Sequence, residues 1–149
     1  MKSIFEESTR VEVIKRIRTL TPESKASWGS MTVGQMVRHC AICETYYYGD
    51  IRIKRSLAGR IFGKKAINAI LKDESSGLHR NAPTAPPFRV TEEVIDLESE
   101  KRKWVALIEH YGTYNKEEFI HWFFGKLTRK QLGQFIYKHT NHHLVQFGV

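Results

Sequence analysis

Two stretches of the chain open in the same way. Thr32 is followed three residues later by Gln35, and Thr128 by Gln131, and in each case an apolar stripe of helical period begins at once. A threonine hydroxyl that accepts from the third backbone N–H, with a glutamine reaching back to the threonine's own N–H, forms a capping box. It fixes where a helix starts. The spacing predicts a helix over Val33–Tyr48, with Val33, Met36, Val37, Cys40, Glu44 and Tyr47 on one face, ended by Gly49-Asp50. It predicts another over Arg129–Gln146, with Leu132, Phe135, Ile136, His139 and His143 on one face.

Two further segments carry the same period. Ile4 to Leu20 places Val13, Ile14, Ile17 and Leu20 together and stops at Thr21-Pro22, because proline disfavours helical geometry in the residue before it. Glu92 to Tyr111 has Thr91 as a plausible cap, Glu92 and Glu93 in its first turn, and a stripe of Val94, Leu97, Trp104, Val105, Ile108 and Tyr111. Lys101 interrupts that stripe and is expected to snorkel. Between the second and third segments lies a long connection, Gly49 to Val90. It holds a basic amphipathic stretch, Ile51 to Lys72, partly helical, and an irregular stretch, Asp73 to Val90, with Pro83, Pro86 and Pro87. A long irregular loop in a small domain often serves as a lid or pocket wall.

The expected architecture is therefore all-α: a single domain over residues 1–149, a four-helix bundle with a long crossover connection between helices 2 and 3. A chain of 149 residues buries roughly two thirds of its unfolded surface, so it needs no staples. No apolar run approaches the roughly 20 residues needed to cross a bilayer, and MKSIFEESTR lacks the apolar core of a secretory signal. No membrane partner is expected. Cys40 and Cys43, three residues apart, cannot frame a secreted fold, so a cytoplasmic setting is the default. The net charge of +8 raises nucleic acid as a partner, but no base-reading motif accompanies it, and a solvated basic surface is the commoner meaning.

The candidate chemistry lies in histidines. His139 and His143 are one helical turn apart, where side chains lie about 5–6 Å apart at Cβ, and imidazoles so placed can converge on one ion at about 2.0–2.1 Å. They sit on the apolar stripe, where titratable rings cost free energy unless something satisfies them. The bland alternative is a pair of hydrogen-bonded core histidines. Asn141 stands between them, so the pair lacks the glutamate of a metalloprotease motif. His39, at the flank of the second helix's stripe, is a third ligand or an exposed residue. Cys40 and Cys43 form a CxxC that with the histidine pair would suit a structural zinc site, although cysteines inside a helix more often simply pack. Glu44 is the only carboxylate on the core-facing stripe to test as a general base, a rim salt bridge being its commoner fate. His142 and His121 are candidates for pocket or supporting positions. His79 and His110 read as surface residues.

The stretch from Trp28 through Gly29, Ser30, Met31, Thr32, Val33, Gly34, Gln35, Met36, Val37 and Arg38 to His39 resembles the second-helix signature of the DinB-like superfamily. The stretch Lys138-His139-Thr140-Asn141-His142-His143-Leu144-Val145-Gln146-Phe147-Gly148 resembles its C-terminal histidine motif, and Phe123-Phe124-Gly125-Lys126-Leu127-Thr128 resembles one branch without an assigned function. The resemblance implies an up-down-down-up four-helix bundle. It implies a site for a divalent metal ion, zinc or nickel, held by His39, His139 and His143. Some members are thiol-dependent transferases or isomerases, many are called metal-dependent hydrolases, and members often dimerise. The expectation is a metal-dependent enzyme acting on a small molecule, a low-molecular-weight thiol among the candidates, as a homodimer. Where better-characterised relatives carry Arg-Gly-Gln after the last histidine, this chain has Leu144-Val145-Gln146, so no arginine role carries over. The competing class is a non-enzymatic module that binds metal or, through its charge, nucleic acid.

Overall fold

The computed structural model describes all of residues 1–149. Its elements run α1 (Glu7–Thr19), α2 (Val33–Tyr48), α3 (Leu57–Ile70), α4 (Leu97–His110), β1 (Glu118–His121), β2 (Gly125–Thr128) and α5 (Arg129–Gln146), with single 3₁₀ turns at Pro86–Phe88 and Tyr111–Thr113. Both capping boxes form. Thr32 Oγ1 accepts from the Gln35 N–H at 3.2 Å while Gln35 Oε1 accepts from the Thr32 N–H at 2.9 Å, and Thr128 and Gln131 repeat the arrangement. This is why α2 and α5 begin where their sequences indicate, while α2 ends at Gly49, which caps it in a left-handed conformation at φ 95°.

The all-α, four-helix-bundle expectation is overturned. The chain has five helices and a two-stranded antiparallel sheet, a mixed α/β fold. The sheet comes from the aromatic segment before α5. Glu118 pairs with Thr128, Phe119 with Leu127, Ile120 with Lys126 and His121 with Gly125. Gly125 closes the turn at φ 85°, a left-handed backbone that glycine adopts without steric cost. A four-residue strand shows too little alternation for periodicity to reveal it, and Phe119, His121 and Leu127 turn inward only because the partner strand is present. The fifth helix, α3, is the basic stretch of the long connection. Ser56 starts it by accepting from the Gly59 N–H at 2.9 Å, and the Ser56 N–H donates to the Trp122 carbonyl at 3.1 Å, tying the helix to the hairpin.

Other boundaries move for local reasons. α4 starts at Leu97, not Glu92, because Asp96 accepts from the Ser99 N–H at 3.0 Å and Glu98 and Glu100 fall in the first turn. Val94, assigned to its stripe from the sequence, is 93% exposed. α1 starts at Glu7, yet Ile4 is still fully buried, its N–H bonded to the Gly133 carbonyl of α5 at 3.1 Å. Lys101 does not snorkel. It is buried, and its ammonium donates to the Leu20 carbonyl at 2.7 Å and the Arg18 carbonyl at 3.2 Å while pairing with Glu98. It thus satisfies carbonyls that the end of α1 leaves open.

The core joins all the helices and the hairpin. Trp104, Ile108 and Tyr111 from α4 and its following turn meet Met36, Val37 and Cys40 of α2, with Leu132, Ile136 and Leu144 of α5 buried in the same cluster. α2 packs chiefly on α4, and α1 on α4 and α5. α2 and α5 meet mainly through side chains, and it is there that the histidines gather. No helix is long and apolar enough to cross a membrane.

Candidate metal centre

His39, His139 and His143 are brought together. All three are buried. Their ring centroids lie 5.5 Å apart for His39 and His139, 5.0 Å for His39 and His143, and 4.8 Å for His139 and His143. The two α5 rings are one turn apart on the inward face, as their spacing requires. His39 reaches them from α2.

Each ring's orientation has a visible cause. His39 Nδ1 lies 2.8 Å from the Phe88 carbonyl, an acceptor only, so this nitrogen carries the proton and Nε2 is the unprotonated nitrogen, facing the Cys43 thiol. His143 Nδ1 lies 2.9 Å from Gln146 Oε1, while Gln146 Nε2 donates to the Trp28 carbonyl at 2.7 Å. That bond fixes the amide's orientation and again leaves Nε2 free. A partner on the far nitrogen is the usual support for a metal-ligating imidazole. His139 differs: its Nδ1 is buried with no hydrogen-bond partner. A buried unpartnered ring nitrogen costs about 1–3 kcal/mol, and a bound cation is one thing that would remove the cost.

Cys43 belongs to the same place. It sits one turn beyond His39, with Sγ 3.7 Å from His39 Nε2, and one donor atom each from His39, Cys43 and His139 all lie within 4.8 Å of one another. The CxxC does not act as a pair. Cys40 turns into the core against the Met36 sulfur at 3.8 Å, and both thiols are free.

Burial sets the protonation states. It lowers the pKa of His39, takes His143 down to about 3, and lowers His139 well below its ordinary value, with the neighbouring imidazoles adding to the effect on the α5 pair. All three rings are therefore neutral at pH 7, the form that ligates metal. Burial pushes the Cys43 thiol up, with Glu44 adding to the effect, so without a cation beside it this thiol stays protonated.

The supporting candidates take different places. Glu44 is fully buried, not at a rim, and no cation pairs with it. It accepts from the Tyr111 hydroxyl and, at 3.3 Å, from the hydroxyl of Thr140, the residue next to His139. Burial pushes its pKa up to about 7, against the opposing pull of those donors and of the Trp104 indole, which lies near without meeting hydrogen-bond geometry. His121 turns to the hairpin. Its Nδ1 accepts the backbone N–H groups of Phe123 and Phe124 at 3.1 and 3.2 Å, and its ring stacks on Phe124 at 4.4 Å. Phe135 stands between it and His139. His142 is half-buried beside His143 and edge-on to Trp28, whose other neighbour is the Arg80 guanidinium, 4.2 Å from the Trp28 ring.

Three supporting groups escaped the sequence reading. Phe88 and Trp28 act through backbone carbonyls, which carry no side-chain signature. Gln146 could have been found, since His143 and Gln146 stand three apart on a helix and so face each other. The Asp73–Val90 loop does form a wall of the site, through Phe88. Shallow grooves along α1 and α4, bordered by Val11, Ile14, Arg18 and Glu109, contain none of these residues.

The chain belongs to a family described as protein of unknown function (DUF1569), which matches residues 6–148. No curated protein and no solved structure matches it. The family description names no activity and carries no connection to the DinB-like superfamily.

Proposed function

We propose that this protein is a metal-dependent enzyme that holds a divalent ion, zinc or nickel, on His39, His139 and His143 and acts on a small-molecule substrate. The observation that supports this reading most is the set of three buried, neutral imidazoles: two have Nδ1 bonded to acceptors that leave Nε2 free, and one has an unpartnered Nδ1. Without an ion, the His139 ring keeps a buried polar atom unsatisfied. A divalent ion on three histidines would supply a Lewis acid with an open position for water or a thiol. The chain's own part is to keep the rings neutral by burial, to orient His39 through the Phe88 carbonyl and His143 through Gln146, and to limit water with Phe135 and the Phe88 loop. Resemblance to the DinB-like superfamily favours thiol transfer or hydrolysis as the reaction class.

A second reading rests on Cys43. A set that includes His39, Cys43 and His139 is favoured by their donor distances. With His143 as well, the protein would fill four positions and the site would be structural, not catalytic. Elemental analysis after reconstitution with zinc or nickel separates these. The enzyme reading expects His39→Ala, His139→Ala and His143→Ala each to lose the metal and Cys43→Ser to keep it, with chelator-sensitive turnover of a thiol or ester substrate. Metal lost in Cys43→Ser assigns the second set; its loss in His143→Ala as well makes that set the four-ligand structural site. Wild-type protein that holds no metal after reconstitution sinks both.

A further inference from the structure

We infer that the outward face of α3, with the cationic segment leading into it, docks on an anionic lipid bilayer. This inference does not depend on the metal site, and it departs from the sequence expectation of no membrane partner.

α3 is inverted relative to an ordinary amphipathic helix. Its buried positions are Gly59, Gly63 and Ile67, four residues apart, so two of the three inward residues have no side chain. The reason is the hairpin: a Cβ at Gly59 would lie 2.4 Å from the Phe123 carbonyl oxygen, and one at Gly63 would lie 2.1 Å from it. The helix rests backbone to backbone on the turn. Its large apolar residues are left outside, with Leu57 78% exposed, Ile61 74% and Phe62 59%. Single exposed apolar residues need no explanation, but three neighbours on one helix face form a patch. Leu57 and Ile61 are one turn apart and Phe62 is beside Ile61.

Charge surrounds this patch. Between Ile51 and Lys72 there are seven lysines and arginines and no aspartate or glutamate, in a chain whose whole net charge is +8. Arg52, Lys54, Arg60, Lys64 and Lys65 are exposed, and none joins an ion pair. Lys64 and Lys65 follow Ile61 by one turn, and Arg60 flanks it.

An apolar strip bordered by unpaired cations matches the layered chemistry of a bilayer surface, where acyl chains take the strip and anionic headgroups take the cations. A helix of 14 residues, about 21 Å long, lies in that plane without spanning it. Nucleic acid would use the cations and the Phe62 ring, but would leave Leu57 and Ile61, the most exposed members of the patch, facing water. A second copy would cover the strip but set like charges against each other.

Co-sedimentation with phosphatidylserine–phosphatidylcholine vesicles, against pure phosphatidylcholine, tests this on the whole protein. Binding is expected on the anionic vesicles only, falling as salt rises. Each lysine near such a surface contributes about fivefold, so Lys64→Ala with Lys65→Ala is expected to weaken binding about 25-fold. Ile61→Ser with Phe62→Ser is expected to weaken it as well, and Phe62→Trp to show a blue-shifted emission on anionic vesicles. All these positions are exposed, and thermal melts verify that the variants fold. Three outcomes overturn the proposal. The first is no preference for anionic vesicles. The second is vesicle binding unchanged by Ile61→Ser with Phe62→Ser. The third is salt-sensitive binding to polyuridylate, or a dimer broken by Ile61→Ser, in a protein that ignores vesicles.

Discussion

Replacing His121 by asparagine isolates one term in the acid sensitivity of this protein. The His121 ring is buried, and its Nδ1 lone pair accepts two backbone N–H groups of the hairpin turn. Burial, with a smaller contribution from the Arg55 charge, lowers its pKa from 6.5 to about 3. Because the folded value is the lower one, the unfolded chain binds the proton more readily between these limits. Stability is therefore flat above pH 6.5 and falls with acidification until about pH 3, at about 1.4 kcal/mol per unit. From pH 6.5 to pH 5 this one ring costs about 2 kcal/mol, a sizeable part of the 5–15 kcal/mol typical of a folded domain. Asparagine Oδ1 can stand near the position of Nδ1 and accept the same N–H groups, and it does not titrate. The variant loses the stack on Phe124 and is less stable at pH 7, but that loss does not vary with pH. Urea unfolding with chelator present, repeated from pH 7 to pH 4.5, gives the free energy at each pH. The wild-type curve is expected to be steeper than that of His121→Asn by about 1.4 kcal/mol per unit below pH 6. The remaining buried histidines steepen both curves alike. Parallel curves would refute the reasoning and mean that the His121 ring takes up its proton without breaking the turn.

Glu44 acts in the opposite direction: its folded pKa, about 7, lies above its ordinary 4.5, so the folded state holds the proton more tightly and stability falls as pH rises between those values. The full effect is about 3 kcal/mol, and Glu44→Gln, which copies the protonated form, is expected to abolish it in the same urea titration, whereas an unchanged slope would contradict the assignment. Gly63→Ala forces a methyl to within 2.1 Å of the Phe123 carbonyl oxygen, a backbone atom that cannot swing aside. It is expected to cost about 1–3 kcal/mol and to lower Tm by several degrees, and an unaltered melt would show that α3 does not rest on the hairpin as described.

The parts of this fold that could be read from the chain are those with local causes. α2 and α5 were legible because a threonine and a glutamine three apart satisfy helix-end N–H groups whatever lies elsewhere. The His139–His143 pair was legible for the same reason, since one helical turn fixes their proximity. The hairpin was not, because Phe119 to Phe124 is a run of aromatics without a clear period, and its strands exist only through pairing. α3 was visible as a basic helical stretch, but not its inverted seating, since nothing in the composition says that Gly59 and Gly63 face inward while Ile61 faces out. Asp96, not Thr91, starts α4: both residue types suit a cap, and it is the Asp96 carboxylate that accepts a helix N–H, from Ser99. For the site, His39 sat at the flank of its stripe and needed the fold to turn it inward. The approach of Cys43, but not Cys40, to the histidines was beyond a reading that treated the two thiols as one motif.

The bond from His39 to the Phe88 carbonyl links two parts of the chain that are 49 residues apart. Were the histidine cluster to hold an ion, that ion and the loop carrying Phe88 would be coupled reciprocally. Anything that draws the loop away frees the His39 ring to rotate and weakens its grip on a ligand. Any ligand that grips His39 steadies the loop by the same factor. Opening the wall of the site and loosening one of its donors would then be a single motion.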